Sequence, residues 1–344
     1  MNYRVTIGIP VYNAVKYLGR ALDTVLNQTF RDIEVLIVDD CSTDTTIALI
    51  EHYQRTHPRG CCIRLLHQEV NGGPGVARNR IVDEAQGRFL YFMDADDEIE
   101  SNTIALLMEH QQRTGADIVY GSYDKIETFN DGKILEKHQY PFKELIGDGC
   151  LAQYAWSGGG NLQITIWNFV VNIELLHKAR LRFMNSDFWE DMAFAYDLLP
   201  NCQHAVLLPD ITYHYMCRYD SLSNYQHREN INKEEVLRNI LTVEYMKRQC
   251  VKTKGKPYQP HRCLNVLKIE FFVLCYILKN SNRITPSFTL KEFKDTMSHP
   301  ATLSEIVCFR KERIKNLLFY FWGKSPAGLK IWMASLIGRK KGLV

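Results

Sequence analysis

Two acidic clusters stand where an apolar run ends: Asp39-Asp40 after residues 33–38, and Asp94-Ala95-Asp96-Asp97 after residues 88–93. Three carboxylates within four residues repel one another and resist burial unless a counter-charge lies among them. A divalent cation that also holds a diphosphate supplies one, because Mg2+ and Mn2+ take oxygen ligands from one or two carboxylates and from phosphate. The competing reading is local, since acids at such positions also cap the helices that follow. A third pair, Glu190-Asp191, has the residue types for general-base work. Asp187 with Glu190 also has the spacing of a capping pair at the head of an amphipathic helix. Gly72-Gly73-Pro74-Gly75 lacks the Lys-Ser/Thr of a Walker loop and follows the third strand. It therefore reads as a tight turn into a helix whose N-terminus can face a nucleotide. His214 reads as a packed histidine before a phosphate contact, and it stays a secondary candidate with Asp97 and Glu190.

These acids need a scaffold, and the first 120 residues predict one. Residues 4–9 alternate as a strand, and Ala14, Tyr17, Leu18, Ala21, Leu22, Val25 and Leu26 fall at helical spacing. Residues 33–38 form the continuous apolar run of a strand covered on both faces. Ser42 or Thr43 is placed to cap a helix to about Arg55. Residues 62–66, 88–93 and 117–120 read as strands; residues 74–85 and 101–113 read as helices. The alternation predicts an α/β fold with a mainly parallel central sheet, both acidic clusters lying at carboxyl ends of strands. Residues 121–166 break into loops punctuated by Gly147, Gly149 and Gly158-Gly159-Gly160. Helix and strand signals return at 172–180, 187–199 and 204–215. Beyond about 228 everything reads helical, over 229–251, 261–280, 289–297, 303–322 and 327–337. The division this predicts is a catalytic part, 1–228, and a helical C-terminal region, 229–344.

The composition of the 344 residues, 46% hydrophobic and 24% charged, is that of a globular chain. The longest apolar run, 271–278, falls short of the roughly 18 residues a membrane-spanning helix needs. Residues 5–9 are too short for a signal peptide and meet Pro10, so a cytosolic chain is expected. The ten cysteines show no C-x-x-C spacing, which predicts free thiols and no structural zinc. Charge is uneven. Residues 310–344 carry nine Lys/Arg against Glu312 alone, a net +8 of the total +3. Leu317, Leu318, Phe319, Phe321, Trp322, Leu329, Ile331, Trp332, Leu336 and Ile337 accompany that charge, a pattern suited to a helix lying in a membrane interface. The plainer reading is a packed helix with a solvated basic face. No recognition motif for nucleic acid accompanies the charge.

Ile9-Pro10-Val11-Tyr12-Asn13, Val38-Asp39-Asp40-Cys41-Ser42-Thr43-Asp44, Asn71-Gly72-Gly73-Pro74-Gly75-Val76-Ala77-Arg78-Asn79 and Met93-Asp94-Ala95-Asp96-Asp97 resemble the family 2 inverting glycosyltransferases of the bacterial surface-polysaccharide type. The likeness holds in order and spacing over roughly residues 3–125. It implies a GT-A fold, a nucleotide-sugar-binding α/β sandwich, with residues 1–120 as the nucleotide-sugar half and 121–228 as the acceptor half. It implies that Pro10, Tyr12 and Asp40 border the base and ribose, with Asp39 nearby and Arg78 close to the nucleotide. Asp94 and Asp96, flanking Ala95, would form the D-x-D that holds ribose and a divalent metal (Mn2+ or Mg2+), the metal falling to Asp96. Cys41 stands where the family commonly has glycine.

Trp167-Asn168, Glu174-Leu175-Leu176, Arg182-Phe183 and Glu190-Asp191-Met192-Ala193-Phe194 are similar to the acceptor side of these enzymes, which implies that Asp191 is the catalytic base. Phe169 stands where the family often has lysine. Tyr213-His214-Tyr215, Arg218 and Ser221-Leu222-Ser223 resemble the segment that closes the pocket. The activity implied is inverting, metal-dependent transfer from a nucleotide diphosphate sugar, a UDP-sugar favoured, to a hydroxyl of a glycan or lipid-linked acceptor at the cytoplasmic face of the membrane. A nucleotidyltransferase would show a Gly-rich loop with Arg after its first strand, where Gly8-Ile9-Pro10-Val11-Tyr12 stands. A catalytically silent scaffold that binds nucleotide or membrane is the other alternative, and the complete set of carboxylates speaks against it.

Overall fold

A computed structural model describes residues 4–127, 133–157, 160, 162–186, 189–218 and 230–344. Gly158 and Gly159, Asp187, Ser221-Leu222-Ser223 and the break expected near 228 lie outside these residues. The chain forms two compact units: Met1–Leu151 with Asn161–Asn185 and Glu190–Asn224, and Ala152–Gly160 with Ser186–Trp189 and Tyr225–Val344.

The first unit opens with β1 (Val5–Val11), α1 (Val15–Leu26), β2 (Ile33–Asp39), α2 (Thr46–Thr56), β3 (Ile63–His67), α3 (Pro74–Glu84), β4 (Phe89–Phe92), β5 (Glu98–Ile99) and α4 (Thr103–Thr114). Then come β6 (Ile118–Glu127), β7 (Ile134–His138), β8 (Lys143–Ile146), α5 (Cys150–Trp156), most of which belongs to the second unit, β9 (Phe169–Asn172), α6 (Ile173–Lys178), α7 (Glu190–Asn201) and β10 (His204–Cys217). Among the described residues ten strands share one sheet, ordered β3-β2-β1-β4-β9-β6-β10-β5, with β7 beside β6 and β8 beside β10. Strands β3, β2, β1 and β4 run parallel; β9 enters antiparallel between β4 and β6, and β6 pairs β10 in parallel. All of β2 is buried, as its unbroken apolar run requires. Helix α1 turns Leu18, Ala21, Leu22, Val25 and Leu26 inward, the leucines and the valine each worth about 2 kcal/mol of burial.

Two local expectations change. Residues 121–127, read as loop, continue β6, and β7, β8 and α5 follow where loops were expected. The strand was hidden because its inward positions are polar: Ser122 and Asp124 are buried, Ser122 donating to Leu208 O at 2.7 Å and Asp124 pairing with His214 at 2.7 Å. Neither Ser42 nor Thr43 caps α2. The cap position is Thr45, which makes no side-chain capping bond; Asp44 before it accepts from Thr46 N at 2.9 Å, while Ser42 accepts from Asn13 N at 2.9 Å.

The second unit holds β11 (Ile231–Asn232), α8 (Lys233–Val251), α9 (Gln259–Lys279), β12 (Ile284–Thr285), α10 (Leu303–Val307), α11 (Arg313–Lys324) and α12 (Ala327–Lys340). Asn232 starts α8 by accepting from Glu234 N, and Thr302 starts α10 in a reciprocal box with Glu305. The helix expected over 289–297 is one 3-10 turn, Leu290–Phe293. The helix expected over 303–322 divides before Glu312, whose φ of 54° lies in the left-handed region.

Candidate active site

The loop after β1 and the loop after β2 are laced together. Asn13, at φ 48°, accepts from the N–H groups of Thr43 (2.8 Å) and Asp44 (3.2 Å), and Asp40 N donates to Val11 O at 2.9 Å. Pro10 is half-buried, and Tyr12 leaves the lacing 52% exposed, its ring free to stack on a planar ligand. Cys41 keeps a left-handed φ of 69°, so the turn that glycine would favour is made by a side-chain-bearing residue at a steric cost of about 1 kcal/mol. Asp39 is buried, accepts from Ser42 N at 3.3 Å and pairs with His67 at 3.5 Å.

Asp40 is buried too, and it organises the next loop. Its carboxylate accepts from Gly72 N and Gly73 N, both at 2.8 Å, and from the Gln68 amide. Burial raises its pKa above the ordinary carboxylate value, against the opposing pull of the Gly72 and Gly73 N–H groups. Gly73 needs its φ of 82°, and at Gly75 a Cβ would sit 2.2 Å from Met184 O, so the glycine run makes the turn and lets α3 press against residues 181–185. Asn79 fastens the same contact reciprocally with Phe183, at 2.9 and 2.8 Å.

That turn aims Arg78 at the centre of the site. One nitrogen of the guanidinium holds Asp94 Oδ1 at 2.9 Å, the other Glu190 Oε1 at 2.5 Å, and its carbon lies 5.9 Å from the Phe183 ring. Asp94 and Glu190, far apart in the sequence, thus share one cation. Burial opposes the charge on Arg78, but the fields of Asp94, Glu190 and Asp191 outweigh it and raise its pKa above the ordinary arginine value. Burial pushes Glu190 up to about 7 in spite of Arg78. Burial also raises Asp191, opposed by Arg78 and by the N–H of Met192. Asp191 remains half-buried, and among the described residues its one hydrogen bond is local, accepting from Met192 N at 2.6 Å.

The four residues after β4 divide sharply. Asp97 is 1% exposed and accepts from the Tyr213 hydroxyl at 2.6 Å and Met216 N at 2.8 Å. Burial and the nearby Asp94 raise its pKa well above the ordinary value. Its geometry is that of a structural anchor joining the turn to β10. Asp94, Ala95 and Asp96 are all half-buried, and Asp96 pairs with Arg218, whose guanidinium lies 3.9 Å from the centre of the Tyr17 ring.

Among the described residues no group of three or more His, Cys, Asp or Glu is set to hold a metal ion. Asp94 and Asp96, half-buried and each paired with an arginine, have the chemistry for the other way Mg2+ and Mn2+ bind, through one or two carboxylates completed by phosphate oxygens of a substrate.

His214 stands apart from the Arg78 cluster, its ring between Asp124 (2.7 Å) and Glu100 (3.1 Å). Asn168, at φ 65°, ties β6 to β10 by donating to Gly121 O and Ser122 O and accepting from Thr212. Trp167 stacks on Tyr213 at 4.5 Å. The Trp-Asn pair therefore builds the floor under Asp97. Sequence reading missed the Arg218–Asp96 pair and the Tyr213–Asp97 bond. Their only sequence signal was a cation and a tyrosine in the segment resembling the pocket's closing strand.

The family described as Glycosyl transferase family 2 matches residues 6–158, a stretch that includes the β1 to β4 loops and Arg78. S. aureus TarS 1–349, solved in complex with UDP-GlcNAc, superposes with a TM-score of 0.68 at 18% identity, over 93% of this chain and 90% of that one, so the fold is that of a GT-A-like glycosyltransferase. The putative teichuronic acid biosynthesis glycosyltransferase TuaG of Bacillus subtilis is 31% identical over 147 residues, 43% of this chain and 56% of that protein. An uncharacterized glycosyltransferase of Haemophilus influenzae is 30% identical over 203 residues, 59% of this chain and 74% of that protein. The family match over residues 6–158, together with a relative 30% identical over 74% of its own length, makes this chain a member of the family 2 glycosyltransferases.

Proposed function

We propose that this chain transfers the sugar of a UDP-sugar, with inversion, onto a hydroxyl of a glycan or lipid-linked acceptor in the assembly of a bacterial surface polysaccharide. The observation that carries the reading is the Arg78 bridge, which brings the Asp94–Asp96 turn and the Glu190-Asp191 helix start onto one guanidinium. Asp191 takes the proton of the acceptor hydroxyl as that oxygen attacks the anomeric carbon. The bond from the anomeric carbon to the diphosphate oxygen breaks, its electron pair leaves with UDP, and a single displacement inverts the centre. Arg78 holds the two arms in register and contributes fixed positive charge. Tyr12 and Pro10 form the wall for the base, on the loops that Asp39 and Asp40 shape. Asp96, with Asp94 beside it, would hold a divalent cation, whose charge stabilises the departing diphosphate.

The donor class is supported by the UDP-GlcNAc complex of TarS and the pathway by the name of TuaG. Calorimetric titration of UDP, with and without Mn2+, tests the donor side. Binding that needs the metal and weakens at least about tenfold in Asp96→Ala is the expected result. A folded protein that binds no UDP under either condition would overturn it and leave the silent scaffold in its place.

A further inference from the structure

Helices α11 and α12 face the wrong way for ordinary surface helices. Their inner sides pack on α9: Trp322 lies 5.8 Å from the Phe271 ring, and at Gly338 a Cβ would come within 3.0 Å of Cys275 Sγ. Lys330 also points inward, donating to Lys294 O at 2.6 Å and Thr296 O at 2.9 Å. The sides left outside are nevertheless apolar. Ile314, Leu318 and Phe321 on α11, and Leu329, Trp332 and Leu336 on α12, are 45–73% exposed. Each set follows the i, i+3 or i+4, i+7 spacing that lines one side of a helix.

Cations frame both rows. At 100° per residue, Lys315 falls on one side of the α11 row, and Arg313 and Lys324 on the other. Arg339 and Lys340 flank the α12 row at its end, and all five are exposed. From Arg313 to Val344 the chain has seven Lys/Arg and no acid. A second copy of this face would oppose like charges, whereas an anionic lipid leaflet offers negative headgroups above an apolar layer. At 12 and 14 residues the helices are about 18 and 21 Å long, short of the roughly 30 Å hydrocarbon core, and no described helix is long and apolar enough to cross it.

We propose that the outward rows of α11 and α12 form a docking face that lies in one leaflet of an anionic membrane, with Phe321 and Trp332 immersed and the flanking cations at the headgroups. This goes beyond the catalytic reading and does not rest on it. The test is co-sedimentation of the full chain with phosphatidylcholine vesicles, with and without about 30% phosphatidylglycerol. The expected result is binding to the anionic vesicles that weakens as salt rises, with a blue shift of tryptophan emission. Phe321→Ser with Trp332→Ser should abolish the binding while the melting temperature stays at the wild-type value. Arg339→Ala with Lys340→Ala should weaken it about thirtyfold. Wild-type protein that stays in the supernatant with anionic vesicles at low salt overturns the proposal. So does a double serine variant that still sediments, or a dimer in sedimentation velocity that the double variant dissolves while vesicles bind neither form.

Discussion

In the turn after β4, Asp97 is sealed beneath Tyr213, while Asp96, one residue earlier, stays partly exposed against Arg218. At the head of α7, Glu190 is sealed on Arg78, while Asp191, one residue later, keeps a half-buried carboxylate whose hydrogen bond among the described residues is the local one from Met192 N. Both acidic clusters thus pair a buried anchor with a more exposed carboxylate, the one to which we assign the chemistry, and adjacency in sequence says nothing about which is which. A carboxylate becomes an anchor when distant donors or a buried cation seal it from solvent. Its neighbour, turned about 100° on a helix or to the other side of a turn, keeps partial exposure, Asp96 even while paired with Arg218.

Removing the cation shared by the two clusters should have the largest effect. Arg78→Met leaves Glu190 and Asp94 without their partner and should lower stability by about 3–5 kcal/mol in urea unfolding, together with loss of turnover. A cost below about 1 kcal/mol would mean that Arg78 is not the hub. The anchor and the reactive acid after β4 should then separate. Asp97→Ala strands the Tyr213 hydroxyl and Met216 N and should cost about 2–3 kcal/mol, whereas Asp96→Ala should stay within about 1 kcal/mol and lose metal-dependent UDP binding. Equal melting temperatures for the two variants would erase the distinction.

The anchor at Glu190 also has a pH signature. Its native pKa of about 7 lies above its ordinary 4.5, so the folded state holds the proton more firmly than the unfolded chain. The stability contribution is therefore fully present below about pH 4.5 and is lost as pH rises through about 7. Stability measured across that window should fall with pH in the wild type and fall less in Glu190→Gln. Parallel slopes would show that Glu190 does not carry the strain. The smallest effect is expected at Cys41, where Cys41→Gly relieves the left-handed backbone and should raise stability by about 1 kcal/mol or less, read as a small rise in melting temperature.

The parallel half of the sheet was legible because β1 and β2 are apolar runs covered on both faces and α1 repeats its apolar positions at helical spacing. The other half was not. Ser122 and Asp124 point inward and satisfy themselves with β10, so the alternation that marks a strand disappears into buried hydrogen bonds. The site shows the same limit. The resemblance named Arg78, Asp94, Glu190 and Asp191, but that one guanidinium joins three of the segments depends on α3 meeting residues 181–185 through Gly75 and Asn79. No local pattern encodes that contact. Asp97 looked equal to its neighbours because the hydroxyl that claims it lies 116 residues away.

The most direct test of the account is turnover and UDP affinity measured side by side for Asp191→Asn and Glu190→Gln. Asp191→Asn should bind UDP like the wild type and lose at least about a thousandfold in transfer, while Glu190→Gln should keep measurable transfer and move the acid limb of its pH profile downward. Wild-type transfer by Asp191→Asn, or transfer abolished by Glu190→Gln in a folded protein that still binds UDP, would contradict the assignment of anchor and base.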